Sequence, residues 1–258
     1  MIEVDSVSFR YKYANGWAMR DLSLNLAPGE MVGLIGPNGS GKSTLLKLSC
    51  GLLHPKEGEV RLQGVSLSHI PRRMVAQHIA LVPQSFHIPF AFRVREIVML
   101  GRTPFLRPLT EDGPEHRQAV ERAMALVGIN SLKERFFNEL SGGEQQKAIL
   151  AMALAQEPKV LFLDEPTVHL DIHHQMEILN TVRSLNHSGL TIMAALHDLN
   201  SAALYFQKLI VLKEGHIFAQ GSPTQVLTEE IIAQVFSAKV RVEPHPSAHT
   251  PHIIILPP

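Results

Sequence analysis

Gly36-Pro37-Asn38-Gly39-Ser40-Gly41-Lys42-Ser43-Thr44 is the stretch from which the rest of the chain is read. It follows an apolar run, residues 31–35, with the character of a buried strand, and precedes Leu45-Leu46-Lys47-Leu48, which reads as helix. Glycines at 36, 39 and 41 let the backbone turn around an anion and aim successive N–H groups inward, and the helix beside Lys42 adds its positive dipole end. Lys42 is expected to reach the β- and γ-phosphates of a nucleotide, and the Ser43 hydroxyl to ligate Mg²⁺. Asn38, Gly39, Ser40, Gly41 and Thr44 complete the expected phosphate cradle.

Composition narrows what surrounds this loop. A chain of 258 residues can bury one large core and a smaller subdomain. Its 24 Lys and Arg balance 24 Asp and Glu, so no bulk attraction to nucleic acid is expected. The one cysteine, Cys50, excludes an intramolecular disulfide and reads as a small apolar residue at the end of the first helix, which fits a reducing compartment. The start, Met-Ile-Glu-Val-Asp, lacks the basic and apolar regions of a secretion signal. No segment offers about 18 uninterrupted apolar residues, so any membrane role is expected to come through a partner.

Residues 2–9 and 20–28 alternate apolar and polar positions around a turn at Asn15-Gly16, which predicts an antiparallel edge sheet over the nucleotide. Tyr11 or Tyr13 is placed to stack on an adenine ring. Residues 45–53 are expected to be helical, ended by Pro55 and Gly58, with short strands at 59–62 and 79–82. The second strand runs into Pro83-Gln84, and strand ends are where α/β sheets bind ligands. From about 85 to 152, helical periods at 95–101, 114–127 and 141–156 predict an inserted helical subdomain. Its front carries Phe86, Pro89, Phe90, Phe92 and Phe105, expected either to dock a partner, with Arg93, Arg95 or Arg102 as the rim, or to pack internally.

Ser141 can cap the helix of Leu140-Ser141-Gly142-Gly143-Glu144-Gln145-Gln146, with Glu144 three residues on as a capping box requires. A cap does not need Gly142 and Gly143, which weaken a helix by about 1 kcal/mol each relative to alanine. Exposed glycine N–H groups there would make a second phosphate-binding surface. Residues 160–163 read as a buried strand ending in Asp164-Glu165, an adjacent carboxylate pair that is costly unless magnesium and a reacting water use it. Asp164 is expected to bind the metal and Glu165 to polarise the attacking water. A helix over about 172–187 leads to a strand at 191–196, which delivers His197 as a donor to the transferred phosphoryl group. A hairpin at 209–219 and helices near 223 and 229–236 follow. The tail from 240 is rich in proline and histidine, and prolines between His245, His249 and His252 argue against a shared metal face.

Taken together, these phrases resemble the ATP-binding cassette ATPases over about residues 2–236. Walker A is matched by residues 36–44, the Q-loop by Gln84 and the signature by 140–146. Walker B is matched by 161–165, the D-loop by 169–171 and the switch histidine by His197. The resemblance implies an α/β P-loop NTPase fold, a mixed central sheet with an antiparallel β edge and an inserted helical subdomain. It implies an ATP-binding core at 1–84 and 157–222, a signature subdomain at 85–156 and C-terminal helices and tail at 223–258. It further implies ATP and Mg²⁺ as cofactors, with Ser43, Gln84 and Asp164 on the metal and Glu165, His197 and Gln84 as catalytic groups. A second copy of the chain is expected head to tail, so that Ser141 and Gly143 of one subunit face Lys42 and Ser43 of the other, with Ser141, Gly142, Gly143 and Glu144 counted among the nucleotide-binding residues. Tyr11 is the better match to the adenine-stacking position. The phrases at 98–105, 164–171 and 219–223 are most similar to importers for iron–siderophore, haem, cobalamin or molybdate. Zinc or manganese importers and exporters are alternatives, as are soluble cassettes acting on DNA or ribosomes. The expected partners are a transmembrane permease dimer at the cytoplasmic face of the membrane and, indirectly, a substrate-binding protein.

Overall fold

The computed structural model describes residues 1–86, 88, 90–106 and 113–257, so the expectation placed on Pro89 lies outside the described residues. In chain order the elements begin with strands β1 (Ile2–Phe9), β2 (Met19–Leu26) and β3 (Met31–Ile35), helix α1 (Lys42–Ser49), and strands β4 (Glu57–Leu62) and β5 (Val65–Ser66). Helix α2 (Arg72–Ala76), strand β6 (Ile79–Val82) and helices α3 (Val94–Met99), α4 (Pro114–Leu126) and α5 (Gly142–Ala155) follow. Then come β7 (Val160–Asp164), α6 (Ile172–His187), β8 (Thr191–Ala195), α7 (Leu199–Tyr205), β9 (Lys208–Lys213) and β10 (His216–Gly221). The chain closes with α8 (Pro223–Val226), α9 (Glu229–Phe236), β11 (Val240–Pro244) and β12 (Pro251–Ile255). These elements group into two compact units, Met1–Ile70 with Thr191–Pro258, and Pro71–Leu190.

The first unit holds an antiparallel sheet of order β2-β1-β4-β5. Alternation in β2 sends Leu22, Leu24 and Leu26 inward, and β1 pairs with β2 on one side and β4 on the other. The unit also holds a mixed arrangement in which β3 lies parallel to both β8 and β9, while β10 returns antiparallel on β9. All five residues of β3 are buried, as expected of a strand covered on both faces, and α1 packs on β8 while α7 packs on β3. Leu34 pairs level with Ala195, so β3 and β8 release Gly36 and Leu196 at the same edge.

Helix α1 starts beside Lys42, as the phosphate loop implies, but ends earlier than expected. It begins at Lys42, directly on Gly41, and it stops at Ser49, well before Pro55. The stop is local chemistry: Gly51 takes a left-handed φ of 73°, its N–H bonds Leu48 O at 3.0 Å, and Leu52 N–H bonds Lys47 O at 2.9 Å. These two bonds are those of a Schellman cap. Cys50 sits at that cap with its thiol on Lys47 O, and burial pushes its pKa up to about 11.

The second unit pairs β6 and β7 in parallel, Val82 level with Leu163. Helix α5 packs on α3, α4, α6 and β6, its buried face built from Ala148, Leu150, Ala151 and Ala155. Phe162 in β7 is completely buried, a side chain whose removal from water is worth about 1.5–3 kcal/mol. Arg102 is also inside, 5% exposed, donating to Ala155 O and Glu157 and lying 4.0 Å from the Phe105 ring centre. Arg102 and Phe105 therefore hold the helices together, and the rim expected at Arg102 is not on the surface. Phe90 is 70% exposed and stands edge-on to the half-exposed Phe92. Among the described residues no helix is long and apolar enough to cross a membrane.

Candidate nucleotide site

In the first unit the loop after β3 is shaped for an anion. A Cβ on Gly36 would collide with the Leu212 carbonyl and press on Ser40 Oγ, so only glycine fits the turn out of the strand. Ser40 N–H bonds Pro37 O at 3.1 Å, closing the turn, and Leu45 N–H bonds Gly41 O at 2.8 Å, starting the helix. Lys42 is 5% exposed, and its Nζ donates to Gly36 O at 2.9 Å and Pro37 O at 3.4 Å. A buried ammonium curled into its own loop is a charge arranged for an anionic ligand. Ser40 Oγ is buried with no hydrogen-bond partner among the described residues. An orphaned hydroxyl inside this cradle fits a phosphate oxygen.

Tyr11 is tied to this loop. Its hydroxyl lies 3.0 Å from Thr44 Oγ1, and its ring meets Phe9 edge-on with centres 4.9 Å apart. Tyr13, by contrast, is 90% exposed. At the neighbouring strand end, Leu196 N–H still bonds Leu34 O at 2.9 Å, which leaves exposed His197 as the first residue beyond the sheet. The loop and His197 thus leave one edge of one unit.

In the second unit, β6 and β7 deliver Gln84 and the Asp164-Glu165 pair. Gln84 Nε2 donates to Glu165 Oε2 at 2.6 Å. Asp164 and Glu165 are 3% and 7% exposed. Glu165 has a left-handed φ of 54°, costly for a residue with a side chain, and retained here at the point where its carboxylate meets the Gln84 amide.

The signature phrase opens α5 as a capping box. Glu144 N–H donates to Ser141 Oγ, while the Glu144 carboxylate accepts from Ser141 N–H at 2.8 Å and Ser141 Oγ at 2.9 Å. The Ser141 N–H, then its hydroxyl, hold the Glu144 carboxyl below its ordinary 4.5. Gly142 is exposed, as expected, but Gly143 is buried. A Cβ on Gly143 would overlap the ring of His174, so this glycine makes room for a side chain of α6. His174 Nδ1 is itself held 2.9 Å from the Asp171 carboxylate that caps α6. Reading the chain did not single out His174; its signal is a histidine three residues after a helix-capping aspartate. Among the described residues no cluster of three or more histidine, cysteine or carboxylate side chains is arranged to hold a metal, which includes the tail histidines His245, His249 and His252.

The chain is similar to known proteins over most of its length. The family model described as ABC transporter matches residues 19–168. The hemin import ATP-binding protein HmuV of Gloeobacter violaceus is 41% identical over 252 residues, covering 95% of this chain and 91% of the relative. The ferric enterobactin transport ATP-binding protein FepC of Escherichia coli is 39% identical, covering 95% and 90%. The ATP-binding cassette MJ0796, solved as a dimer in a post-hydrolysis state with ADP and Pi, superimposes with a TM-score of 0.75 at 30% identity, covering 86% of this chain and 98% of that one.

Proposed function

Because this chain belongs to the ABC transporter family, we propose that it is the ATP-hydrolysing subunit of a membrane importer for an iron chelate or haem. In the first unit, Lys42 and the N–H groups of residues 38–44 hold the phosphates, Tyr11 stacks on the adenine and Ser43 offers a ligand to magnesium. In the second unit, Asp164 and Gln84 are oxygen donors of the kind magnesium takes. A magnesium ion held by such groups would neutralise phosphate charge. Glu165 orients and polarises the attacking water, and His197 donates to the transferred phosphoryl group. Ser141, Gly142, Gly143 and Glu144 bind the nucleotide held by a second copy of the chain.

The observation that carries this reading is the Gln84–Glu165 bond of 2.6 Å beside Asp164. An amide that donates to a buried carboxylate fixes its orientation, which is what a group that positions a water requires. The Glu165→Gln variant tests it: ATP binding is retained, while turnover falls by about 100-fold or more. The same variant traps two copies around ATP, read by light scattering. Parent-rate hydrolysis by E165Q would refute the assignment.

The subunit works at the cytoplasmic face of the membrane on a permease dimer, which a substrate-binding protein loads. The contact surface is the segment that leaves Gln84, with exposed Phe90 and Phe92, together with a groove of about 620 Å³ lined by Phe92, Arg95, Glu96, Met99, Met124 and Lys133. Mixed charge around apolar walls suits the end of a short membrane-protein helix. Co-purification with the permease, followed by uptake of radiolabelled ferric chelate or haem, identifies the cargo; zinc, manganese or outward transport would overturn the importer class.

A further inference from the structure

We propose that Asn200 and the terminal β-hairpin form a brace that positions His197, an inference that rests on the hydrolytic reading above. His197 sits between two fixed points. One is β8, whose register with β3 persists through Leu196. The other is α7, which Asp198 caps by accepting from Asn200 N–H at 3.2 Å and Ser201 N–H at 2.8 Å. The second point is weak by itself. Helix α7 has seven residues, too few to hold a direction unaided, and the residues it buries are Ala202 and Ala203, which offer little surface.

The hairpin supplies the missing support. Asn200 Oδ1 accepts from Ile253 N–H at 2.8 Å, and Asn200 Nδ2 donates to Ile253 O at 3.1 Å. One carboxamide therefore satisfies both backbone groups of one residue, as a neighbouring strand would. Strands β11 and β12 form a sheet of two, marginal alone, so they too depend on what they touch. Ile253 is buried against the body of the unit, β12 packs on α7, and Val242 N–H bonds Glu229 Oε1 at 3.0 Å on α9. The hairpin is thus pinned to α9 through β11 and, through Asn200, to α7 through β12, three residues beyond His197. Asn200 touches no reacting atom; it is a positioning residue.

The test is a mutant cycle on the full chain, with ATP turnover measured under steady-state and single-turnover conditions. Asn200→Ala should lower kcat by about 10- to 100-fold, the usual consequence of misplacing a catalytic group by an ångström. KM for ATP should stay within about twofold, because the phosphate loop is untouched. Removing residues 239–258 should give the same loss, and the two changes should not add. Neither should lower the residual single-turnover rate of His197→Ala further, since both act through that side chain. Parent turnover in N200A, a raised KM, or a loss in N200A that is repeated in full on the H197A background would overturn the brace. Parent turnover in H197A would instead remove the reading of His197, and the brace with it. If the truncated chain fails to fold, as thermal unfolding would reveal, N200A with N200D decides alone: the aspartate cannot donate to Ile253 O and should lose activity as the alanine does.

Discussion

At the residue scale, Gly143 shows how one position answers to two demands. Read along the chain, it looked like an exposed N–H at a helix start; in the fold it lies under the His174 ring. Substituting alanine sets a helix-propensity gain of at most about 1 kcal/mol against an overpacking cost of about 1–3 kcal/mol. The collision is with a ring whose Nδ1 is tied to Asp171, so it cannot swing aside at no cost, and the penalty wins. Gly143→Ala should therefore lower the unfolding temperature by roughly 2–10 °C for a chain of this size. Adding His174→Ala should recover most of that loss in differential scanning fluorimetry, whereas ATP turnover should remain impaired in both. A G143A protein as stable as the parent would show that the ring yields freely.

At the element scale, the start of α5 carries a pH dependence whose sign is fixed by the capping box. The folded-state pKa of Glu144 is depressed by Ser141, so its stabilising contribution is present above the ordinary value of 4.5 and fades as pH falls through the lower folded value. Because the carboxylate still reaches solvent, which screens it, the contribution is small, below about 1 kcal/mol. Comparing parent and Glu144→Gln by urea unfolding should show a stability gap at pH 7 that closes below pH 4.5; a gap that widens in acid would contradict this. Elements of this kind were legible because their residues and their partners lie within four positions of each other. Ser141 with Glu144 belongs here, and so does the glycine-rich loop between a buried strand and a helix. The end of α1 was misjudged because Gly51 closes a Schellman cap that outranks the more conspicuous Pro55. Hairpin β11–β12 was missed for the opposite reason: prolines and histidines mask its alternation, and its partners, Glu229 and Asn200, lie 13 and 53 residues away. The same distance hid Asn200, an unremarkable residue until Ile253 is placed beside it.

At the scale of the whole molecule, the chain must pass the energy of hydrolysis to a membrane partner, and its aromatic segment separates into two roles that composition alone left mixed. Phe105 lies half-buried beneath the Arg102 guanidinium, which is anchored to the end of α5 through Ala155 O. Phe90 is 70% exposed, touching Phe92 edge-on, six residues beyond the Gln84 that holds Glu165. An exposed aromatic pair close in sequence to a residue bonded to the proposed hydrolytic carboxylate is what a coupling element requires. Charge placed at the two positions should consequently have opposite signatures. Phe105→Glu removes the cation–π contact, worth about 0.5–2 kcal/mol, and brings a second carboxylate to a guanidinium already paired with Glu157, so the isolated subunit should melt several degrees lower. Phe90→Glu gives up an edge-on contact with Phe92 at a position that is 70% exposed, and should leave the melting temperature and basal ATP hydrolysis within error of the parent. In a pull-down with the co-expressed permease, F90E should lose retention, and transport should fall with it. Full retention and transport by F90E would assign the exposed pair no part in docking, while a large fall in its melting temperature would return Phe90 to the core of the helical segment.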